Sequence, residues 1–283
     1  MTTSFACAVV VSYQSADTIA ATLAAVVDQV GSVCVVDNGS DEATTTILLQ
    51  LTHALDDLVT VQWNRENLGL ASALNQGIRW AIGNGFRYVL TLDQDSVAAP
   101  RMVETLIQAL ETDSSIGLAA PRSIEDCNGR LYSLGVSESQ SDREVHFVEL
   151  VHASGNLIPV SVFETTGLFR EDLFIDQVDY EFCLRLRKMG FRIAVVDRAT
   201  MRHRLGSITT TRVGGKVLHC ANHAYQRHYY LARNRLVVSY LHRDLSYMRS
   251  QADSMAREVC KIVLCEQGKI VKLRAVASAS SMA

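Results

Sequence analysis

Two carboxylates separated by one residue follow an apolar run in the segment Tyr88–Ser96, which reads Y-V-L-T-L-D-Q-D-S. The run is typical of a buried central strand, so Asp93 and Asp95 are predicted to lie at the edge of a sheet. Ligands of open α/β sheets bind at the carboxyl ends of strands, and this pair could therefore bind a divalent cation with a polyanionic substrate. The alternative is that D-x-D before a serine is an ordinary turn or helix cap.

A second group of acids, Asp176, Asp179 and Glu181, stands at the start of a predicted helix. The helix dipole favours negative charge there, but capping needs only one acid. Asp179 recurs with Phe182 and Leu186 at helical spacing, which predicts that Asp179 lies on the side of the helix that faces the core. A carboxylate turned inward at a helix start can accept a proton as a general base.

His203 lies between two arginines in the segment M-R-H-R-L-G. A lone histidine is more often structural than a ligand. The flanking arginines and the following glycine favour the alternative, a site for phosphate and metal.

These residues must be positioned by an alternation of strands and helices. Three strand and helix units followed by a fourth strand predict an α/β fold with a mostly parallel, doubly wound sheet. Neither G-x-G-x-x-G nor G-x-x-x-x-G-K-[ST] occurs, so neither a standard dinucleotide fold nor a P-loop is predicted. The predicted strands are Phe5–Ser12, Ser32–Val36, Leu58–Trp63 and Tyr88–Leu92, and the predicted helices are Thr18–Val27, Asp41–Leu55, one through Asn75 to Ile82, and Met102–Glu111.

Polar residues follow several of these elements. Asp37, at the end of the second strand, could bind a nucleotide base or ribose, or it could form an Asx turn that caps the next helix. Asn67 and Gly69 precede a helix whose free N–H groups could approach phosphate. In the segment His152–Asn156 the glycine could let a ligand approach the backbone, or the segment could be an ordinary bulge.

Composition limits the class of protein. With 283 residues and 48% apolar content, the chain can form one large domain or one domain with a helical appendage. Its apolar runs are far shorter than the ~20 residues of a membrane span, and we expect no signal peptide because no basic segment precedes the first strand. Seven cysteines without C-x-x-C spacing predict reduced thiols in a cytosol, and they argue against a disulfide framework or a structural zinc.

Charge is distributed unevenly along the chain. Residues 1–181 contain 8 Lys and Arg against 25 Asp and Glu, whereas residues 182–249 contain 14 against 2. The basic segment predicts contact with phosphate or an anionic lipid surface, with a solvated face as the alternative. Nucleic acid is not expected, because the acidic part would repel a phosphate backbone and no nucleic-acid motif is present.

The C-terminal part is predicted to be helical over Tyr225–His242 and over an amphipathic segment, Met255–Val276. This part could be a packed bundle, or it could make peripheral contact with a membrane surface. The Ser- and Ala-rich tail is expected to be disordered. The predicted divisions are a catalytic domain over residues 1–215, with halves 1–120 and 121–215, a helical appendage over 216–276 and a tail over 277–283.

Seven motifs occur in order between residues 8 and 236: V-V-V-S-Y, V-V-D-N-G-S, N-x-G-L-A-x-A-L-N-x-G, L-D-Q-D-S, D-x-x-D-Y-E-F-C-L-R-L-R-x-x-G, H-R-L-G and Y-Y-L-A-R-N-R-L. Together they resemble the GT-A fold family 2 glycosyltransferases, most closely the bacterial rhamnosyltransferases of O-antigen and other surface polysaccharide synthesis. The resemblance implies an inverting transfer of a sugar from a nucleoside diphosphate donor, with Mg²⁺ or Mn²⁺.

The resemblance also implies roles for individual residues. Asp179 would be the base, with Asp176 as the alternative, because Val178 replaces the acid that usually precedes the catalytic Asp in the family. The metal ligands would be Asp95, Asp93 and His203. The donor would be bound by Ser12, Tyr13, Asp37, Asn67, Gly69, Asn75, Asp93 and Gln94. The acceptor would be bound by Ser154, Gly155, Asn156 and Glu181, and Arg204, Tyr230 and Arg233 would face phosphate or a membrane.

The expected partners are dTDP-L-rhamnose and a saccharide acceptor linked to a lipid diphosphate, at the cytoplasmic face of a membrane. The sequence is also compatible with a homodimer. One alternative is a galactofuranosyl- or other hexosyltransferase of the same family that uses a UDP-sugar, and a more distant one is a non-catalytic nucleotide-sugar-binding protein. A nucleotidyltransferase is disfavoured, because its Gly-rich, Lys-containing N-terminal loop is absent.

Overall fold

The structure is a computed structural model that describes residues 2–125, 144–203, 209–213, 216–220 and 222–279. The chain divides into two compact units. The first unit contains Met1–Asp172 and Val178–Arg204, and the second contains Leu173–Gln177 and Leu205–Ala283.

The first unit contains nine strands and six helices in its described part. The strands are β1 (Ala6–Ser12), β2 (Ser32–Asp37), β3 (Val59–Trp63), β4 (Tyr88–Asp93), β5 (Ser96–Ala98), β6 (Ile116–Glu125), β7 (Val145–Val148), β8 (Asn156–Pro159) and β9 (Arg192–His203). The helices are α1 (Ile19–Val26), α2 (Glu42–Leu55), α3 (Leu70–Gly83), α4 (Met102–Thr112), α5 (Val160–Thr166) and α6 (Val178–Lys188).

The first four strands form the parallel part of the sheet, in the order β3-β2-β1-β4. Every residue of β1 is buried, which explains the continuous apolar run of this strand. Ser12 lies opposite Asp37, and Val11 lies opposite Asp93. The carboxyl ends of β1, β2 and β4 therefore meet at one edge of the sheet, and the predicted α/β class is confirmed.

The remaining strands continue the sheet in the order β4-β8-β6-β9-β5, and β7 also pairs with β9. The pairs β4–β8, β6–β8 and β5–β9 are antiparallel, whereas β6–β9 is parallel. In the β5–β9 pair, Ser96 lies opposite His203. This register returns the chain to the sheet edge at which β4 ends.

The main core of the first unit lies between the sheet and the helices. Leu90 of β4 is fully buried in it, as are Val10 of β1, Val35 of β2 and Leu106 of α4. Burial of one such side chain stabilises the fold by about 1.5–3 kcal/mol. The strand ends that carry polar residues are thus held by a closely packed apolar layer.

The second unit contains an antiparallel hairpin and three helices in its described part. The hairpin pairs β10 (Thr209–Val213) with β11 (Lys216–Cys220), and the helices are α7 (Tyr225–His242), α8 (Leu245–Cys265) and α9 (Lys269–Ala279). The amphipathic segment predicted over Met255–Val276 is thus two helices, separated near Gly268, which has a φ of +66°. The tail predicted to be disordered from Ala277 is helical as far as Ala279.

Asn234 of α7 connects the short segment Leu173–Gln177 to this unit. Its Nδ2 donates to the carbonyl oxygens of Leu173, Ile175 and Asp176 at 2.7, 2.8 and 3.0 Å. Among the helices that the structure describes, none combines the length and apolarity that a membrane span requires.

Candidate active site

Asp93, Asp95 and His203 form a cluster at the edge where β4 ends. The Nε2 atom of His203 lies 3.5 Å from Oδ2 of Asp93 and 3.6 Å from Oδ1 of Asp95. One ligand atom from each residue lies within 4.8 Å of the other two, as a single divalent cation requires. All three side chains are partly exposed, so water and substrate oxygens could complete the shell of a cation that prefers oxygen ligands.

Hydrogen bonds of Ser154 hold the turn that carries the two aspartates. The backbone N–H of Asp93 donates to Oγ of Ser154 at 2.9 Å, and the hydroxyls of Ser154 and Ser96 lie 2.7 Å apart. Gly155 has a φ of +87°, and a Cβ there would lie 2.7 Å from Cγ of Pro121. The glycine is therefore required by backbone conformation and packing.

Asn156, the third of these residues, is 3% exposed, and its Nδ2 donates to the carbonyl oxygen of His152 at 2.6 Å. Ser154 is also buried, at 8% exposure. The predicted acceptor-binding role of Ser154, Gly155 and Asn156 stays a prediction. In the structure these residues support the turn of Asp93 and Asp95 from the protein interior.

His152 connects this turn to the predicted base. Its Nδ1 lies 3.3 Å from Oδ2 of Asp179, and its ring stacks on Tyr180 with the centroids 5.6 Å apart. Desolvation of the ring lowers its pKa, but the hydrogen bond and charge of Asp179, with a contribution from Asp93, outweigh this effect and raise it above 6.5. His203 acts in the opposite direction. His152 thus interacts electrostatically with the base candidate and with Asp93 and His203 of the acidic cluster.

Asp179 is the first acid of α6, and its side chain is 18% exposed. Its Oδ1 accepts a hydrogen bond from the N–H of Tyr180 at 2.9 Å, whereas Oδ2 faces His152. The carboxylate is therefore oriented by two neighbours and remains accessible to a substrate hydroxyl.

Asp37 and Ser12 lie together at the end of the parallel strands. The hydroxyl of Ser12 donates to Oδ1 of Asp37 at 3.3 Å, and the N–H of Ser40 donates to Oδ2 at 3.1 Å. Asp37 is 2% exposed, so only a group that enters the strand ends could reach it. Asp37 thus shows both features that the sequence suggested. It accepts a hydrogen bond within the turn after β2, and it lies at the carboxyl ends of the parallel strands.

Asn38 holds the segment that contains Asn67 and Gly69. Its Nδ2 donates to Oδ1 of Asn67 at 3.0 Å and to the carbonyl oxygen of Gly69 at 3.3 Å. Its Oδ1 accepts from Nδ2 of Asn64 and from the N–H of Leu68. One buried amide thus fixes the loop before α3 against the end of β2.

Gln94 joins the end of the first strand to the turn that carries Asp93 and Asp95. Its Oε1 accepts a hydrogen bond from the N–H of Tyr13 at 2.6 Å, and its carbonyl oxygen accepts from Oγ1 of Thr22 at 2.8 Å. Tyr13 is 43% exposed at this edge. The predicted donor-binding residues Tyr13 and Gln94 therefore lie together beside the aspartates.

Two further residues that were predicted to bind ligands are buried and have hydrogen-bond partners within the protein. Asn75 is 1% exposed, and its amide both donates to the carbonyl oxygen and accepts from the N–H of Phe169. Glu181 is 3% exposed and is bound by Nη2 of Arg185 at 2.7 Å and by Nε at 3.2 Å. Their polar atoms are thus paired inside the protein, and the predicted contacts of Asn75 with donor and of Glu181 with acceptor stay predictions.

Asp176, the alternative base, belongs to the second unit. Arg227 donates to its Oδ1 at 3.1 Å and to its Oδ2 at 3.2 Å. Tyr230 stacks on Phe174 with a centroid separation of 4.9 Å, and Nη1 of Arg233 donates to Oδ1 of Asn234. Arg204, predicted to face phosphate, lies outside the described residues.

A second acidic cluster surrounds His228 in α7. Glu258 lies 3.1 Å from its Nδ1, Glu266 lies 3.0 Å from its Nε2, and Nζ of Lys272 lies 2.8 Å from Glu266. The two carboxylates thus flank opposite nitrogens of one imidazole ring. This arrangement suits a buried, charged histidine between helices better than a cation that would share one of those nitrogens.

His152 and Asn38 are the functional candidates that sequence reasoning left without a role. Both stand in segments that were identified, H-A-S-G-N and V-V-D-N-G-S, next to residues that received one. The available signals for a role were the imidazole of His152 and the position of Asn38 directly before Gly39. Only their tertiary contacts distinguish them from ordinary loop residues.

Comparison with known proteins identifies relatives of this chain. The sequence profile described as glycosyl transferase family 2 matches residues 7–173. The dTDP-rhamnosyl transferase RfbF of Shigella flexneri is 26% identical over 181 residues, which are 61% of this chain and 60% of that protein. The match thus spans less than two thirds of that relative.

Two solved structures illustrate the structural likeness. Residues 1–349 of S. aureus TarS in complex with UDP-GlcNAc match with a TM-score of 0.66 at 16% identity, covering 97% of this chain and 80% of that one. GalNAc-T7 with UDP, GalNAc and Mn²⁺ matches with a TM-score of 0.62 at 15% identity, covering 89% and 55%. These likenesses identify the fold as GT-A, and the predicted fold class is confirmed.

Proposed function

The chain belongs to glycosyl transferase family 2, and from this membership we propose that it transfers L-rhamnose from dTDP-L-rhamnose to a hydroxyl group of a saccharide acceptor, with inversion at the anomeric carbon. The observation that carries the proposal is the cluster of Asp93, Asp95 and His203 together with the neighbouring pair of His152 and Asp179. These five side chains would supply what a displacement at a sugar carbon needs: a bound cation beside the departing nucleoside diphosphate and a carboxylate base for the incoming hydroxyl.

Asp93, Asp95 and His203 would hold the divalent cation. Their two carboxylates and one imidazole suit Mg²⁺ through oxygen and Mn²⁺ through oxygen and nitrogen. When bound, such a cation neutralises the charge of a departing nucleoside diphosphate. Ser154 contributes by holding the N–H of Asp93 and thereby the position of the turn.

Asp179 would accept the proton of the incoming hydroxyl, which contributes on the order of 10²- to 10⁴-fold to the rate. His152 would orient this carboxylate through the contact at Oδ2. Asp176 is the weaker candidate, because the guanidinium of Arg227 binds both of its oxygens. One displacement with one base gives inversion of the anomeric configuration.

Ser12, Tyr13, Asp37 and Gln94 would bind the donor at the ends of the parallel strands, and Asn67 and Gly69 would close over the nucleotide. The rhamnosyl donor is supported by the named activity of the Shigella flexneri relative. A UDP-hexose is the second candidate donor, because the TarS complex contains UDP-GlcNAc.

The acceptor would be a saccharide on a lipid diphosphate, as part of surface polysaccharide synthesis. The basic composition of residues 182–249, with 14 Lys and Arg against 2 Asp and Glu, supports an anionic acceptor. A cytoplasmic location is part of the proposal. It is supported by the five cysteines whose state the structure describes, all of which are free thiols.

The test is turnover of dTDP-L-rhamnose, UDP-galactose and UDP-GlcNAc by the purified chain with Mg²⁺ or Mn²⁺, measured as release of nucleoside diphosphate with and without synthetic alkyl-diphosphate saccharides. We expect turnover of dTDP-L-rhamnose and its loss in Asp179→Asn. The exposed Asp57→Asn is the matched control. Turnover of a UDP-hexose alone would refute the donor, metal-independent binding without turnover would refute an enzyme, and an active Asp179→Asn would refute the base.

A further inference from the structure

Helix α8 carries an uncovered apolar stripe along its 21 residues. The stripe residues follow one another at spacings of three and four, which places them on one face of the helix. Leu245 is 69% exposed, Met248 is 40% exposed and Val263 is 45% exposed. The stripe consists of Leu245, Met248, Ala252, Ala256, Val259 and Val263.

A different face of α8 packs into the second unit. Tyr247, Gln251 and Ile262 are buried, at 4%, 6% and 0% exposure. Because successive residues of a helix are about 100° apart, this buried face is separate from the stripe. The stripe is therefore not part of the packing that holds α8 in its unit.

Exposed apolar side chains extend the stripe at both of its ends. Tyr240 near the end of α7 is 70% exposed, and Leu241, four residues before α8 begins, is 40% exposed. At the other end, Ile270 and Val271 in the first turn of α9 are 67% and 51% exposed. A helix of 21 residues is about 30 Å long, so the uncovered surface is large for a protein that would face only water.

The charge of the second unit identifies the kind of partner. This unit contains 12 Lys and Arg against 5 Asp and Glu, whereas the first unit contains 15 against 25. The guanidinium of Arg243 lies over the ring of Tyr240 at 5.5 Å, so a cation accompanies the exposed aromatic residue. Arg249 and Arg257 are exposed on α8 itself, and Lys269 is exposed where α9 begins.

From these observations we propose that α8 docks in the plane of a membrane surface that contains anionic lipids. Its stripe enters the boundary of the acyl chains, and the neighbouring arginines contact the lipid phosphates. A second copy of the chain fits this surface less well, because it would bring together two units that each carry an excess of seven positive charges, 12 minus 5. This inference rests on the second unit and does not depend on the proposed transfer reaction.

The experiment is flotation of the full chain with vesicles of phosphatidylcholine alone or of phosphatidylcholine with phosphatidylglycerol. We expect binding to the anionic vesicles that falls at least tenfold with neutral vesicles or at high salt. The double variant Leu245→Ser/Val263→Ser should bind the anionic vesicles at least tenfold more weakly. Leu49→Ser, an equally exposed leucine of the first unit at 56% exposure, should bind like the wild type.

Circular dichroism confirms that each variant is folded before its binding is compared. Equal binding of the double variant and the wild type would overturn the role of the stripe, and equal binding to neutral and anionic vesicles would overturn the role of charge. Light scattering during gel filtration measures the oligomeric state and thereby tests the alternative occupant, a second copy of the chain. A wild-type dimer that becomes a monomer in the double variant, with no binding to vesicles, would replace the membrane with a second copy of the chain.

Discussion

The Nδ1 atom of His152 lies 3.3 Å from the Oδ2 atom of Asp179, although the two residues come from different elements, a loop before β8 and the start of α6. The same histidine is influenced by the charges of Asp93 and His203. One imidazole therefore stands in electrostatic contact with both halves of the candidate site. This relationship gives the first prediction.

Loss of His152 should reduce the rate of transfer more than the binding of donor. The His152→Ala variant should lower kcat about 10- to 100-fold, because a carboxylate that is no longer oriented accepts the proton from a less favourable position. The KM for donor should stay within about twofold. His152→Gln, which retains a hydrogen-bonding group, should recover part of kcat, and equal losses of kcat in both variants would contradict a positioning role.

Removal of one predicted metal ligand should weaken cation binding before any reaction occurs. Asp95→Asn and His203→Ala should each raise the Kd for Mn²⁺ at least about 10-fold, because each removes one of the ligand atoms that lie within 4.8 Å of one another, and even loss of a group that only orients a ligand costs about 10- to 100-fold. Electron paramagnetic resonance of free Mn²⁺ measures this directly. Asp57→Asn, an exposed acid away from the cluster, should bind Mn²⁺ like the wild type, and unchanged binding in Asp95→Asn would remove that ligand.

Glu181 should contribute to stability and not to acceptor binding. Its side chain is 4% exposed and that of its partner Arg185 is 18% exposed, so Glu181→Ala removes the carboxylate partner of a partly buried guanidinium. Because Arg185 still donates to the carbonyl oxygens of Thr166 and Leu168, we expect the free energy of unfolding in urea to fall by about 1.5–3 kcal/mol. The exposed pair of Arg101 and Glu104 is the control, and Glu104→Ala should leave the free energy of unfolding almost unchanged.

A second variant at this position tests whether Glu181 binds the acceptor. Glu181→Gln should keep the KM for acceptor close to the wild-type value at a temperature where it is folded. A large rise in this KM without loss of stability would restore the role that the sequence suggested.

Asn38 should control the donor-binding loop. Asn38→Ala removes the amide that binds Asn67, Gly69, Asn64 and Leu68, and it should destabilise the chain by about 1–3 kcal/mol. Because the loop is then less ordered, the Kd for donor measured by calorimetry should rise. Asn84→Ala, which removes an exposed amide bound to the carbonyl oxygen of Trp80, should leave the Kd for donor unchanged.

The stability of the helical unit should depend on pH through His228. Burial lowers the pKa of His228, but its contacts with Glu258 and Glu266 outweigh this effect and raise it above 6.5. The contact with His228 lowers the pKa of Glu258 below 4.5. Lys272 binds Glu266, and further charged or titratable groups nearby are His223, Arg227, Arg235 and Lys261.

A raised histidine pKa contributes stability that is complete below 6.5 and is lost as pH rises through the folded-state value. A lowered glutamate pKa contributes stability that is complete above 4.5 and is lost as pH falls through its folded-state value. The pair should therefore stabilise the fold most between pH 4.5 and 6.5. His228→Gln should be less stable at about pH 6 and should lose less stability between about pH 6 and about pH 8, whereas the exposed His53→Gln should follow the wild type.

Several features of the site were determined by local sequence alone. The apolar run before Asp93 requires a buried strand, and a strand that ends in two aspartates must deliver them to the sheet edge. The turn residues after Asp37 likewise end β2 and leave Asp37 at the same edge of the sheet. Burial periodicity is a local property, because it depends only on which side chains alternate or recur along one element.

Other features were decided by tertiary structure. His203 reaches the aspartates only because β9 pairs with β5 in a register that places it opposite Ser96, more than one hundred residues earlier in the chain. Periodicity predicted an inward position for Asp179 and made no such prediction for Glu181, so it could not show that Glu181 is the acid buried against Arg185. Whether a buried polar group is satisfied by the protein or left for a ligand depends on contacts between distant elements, and those contacts are set by strand order and register.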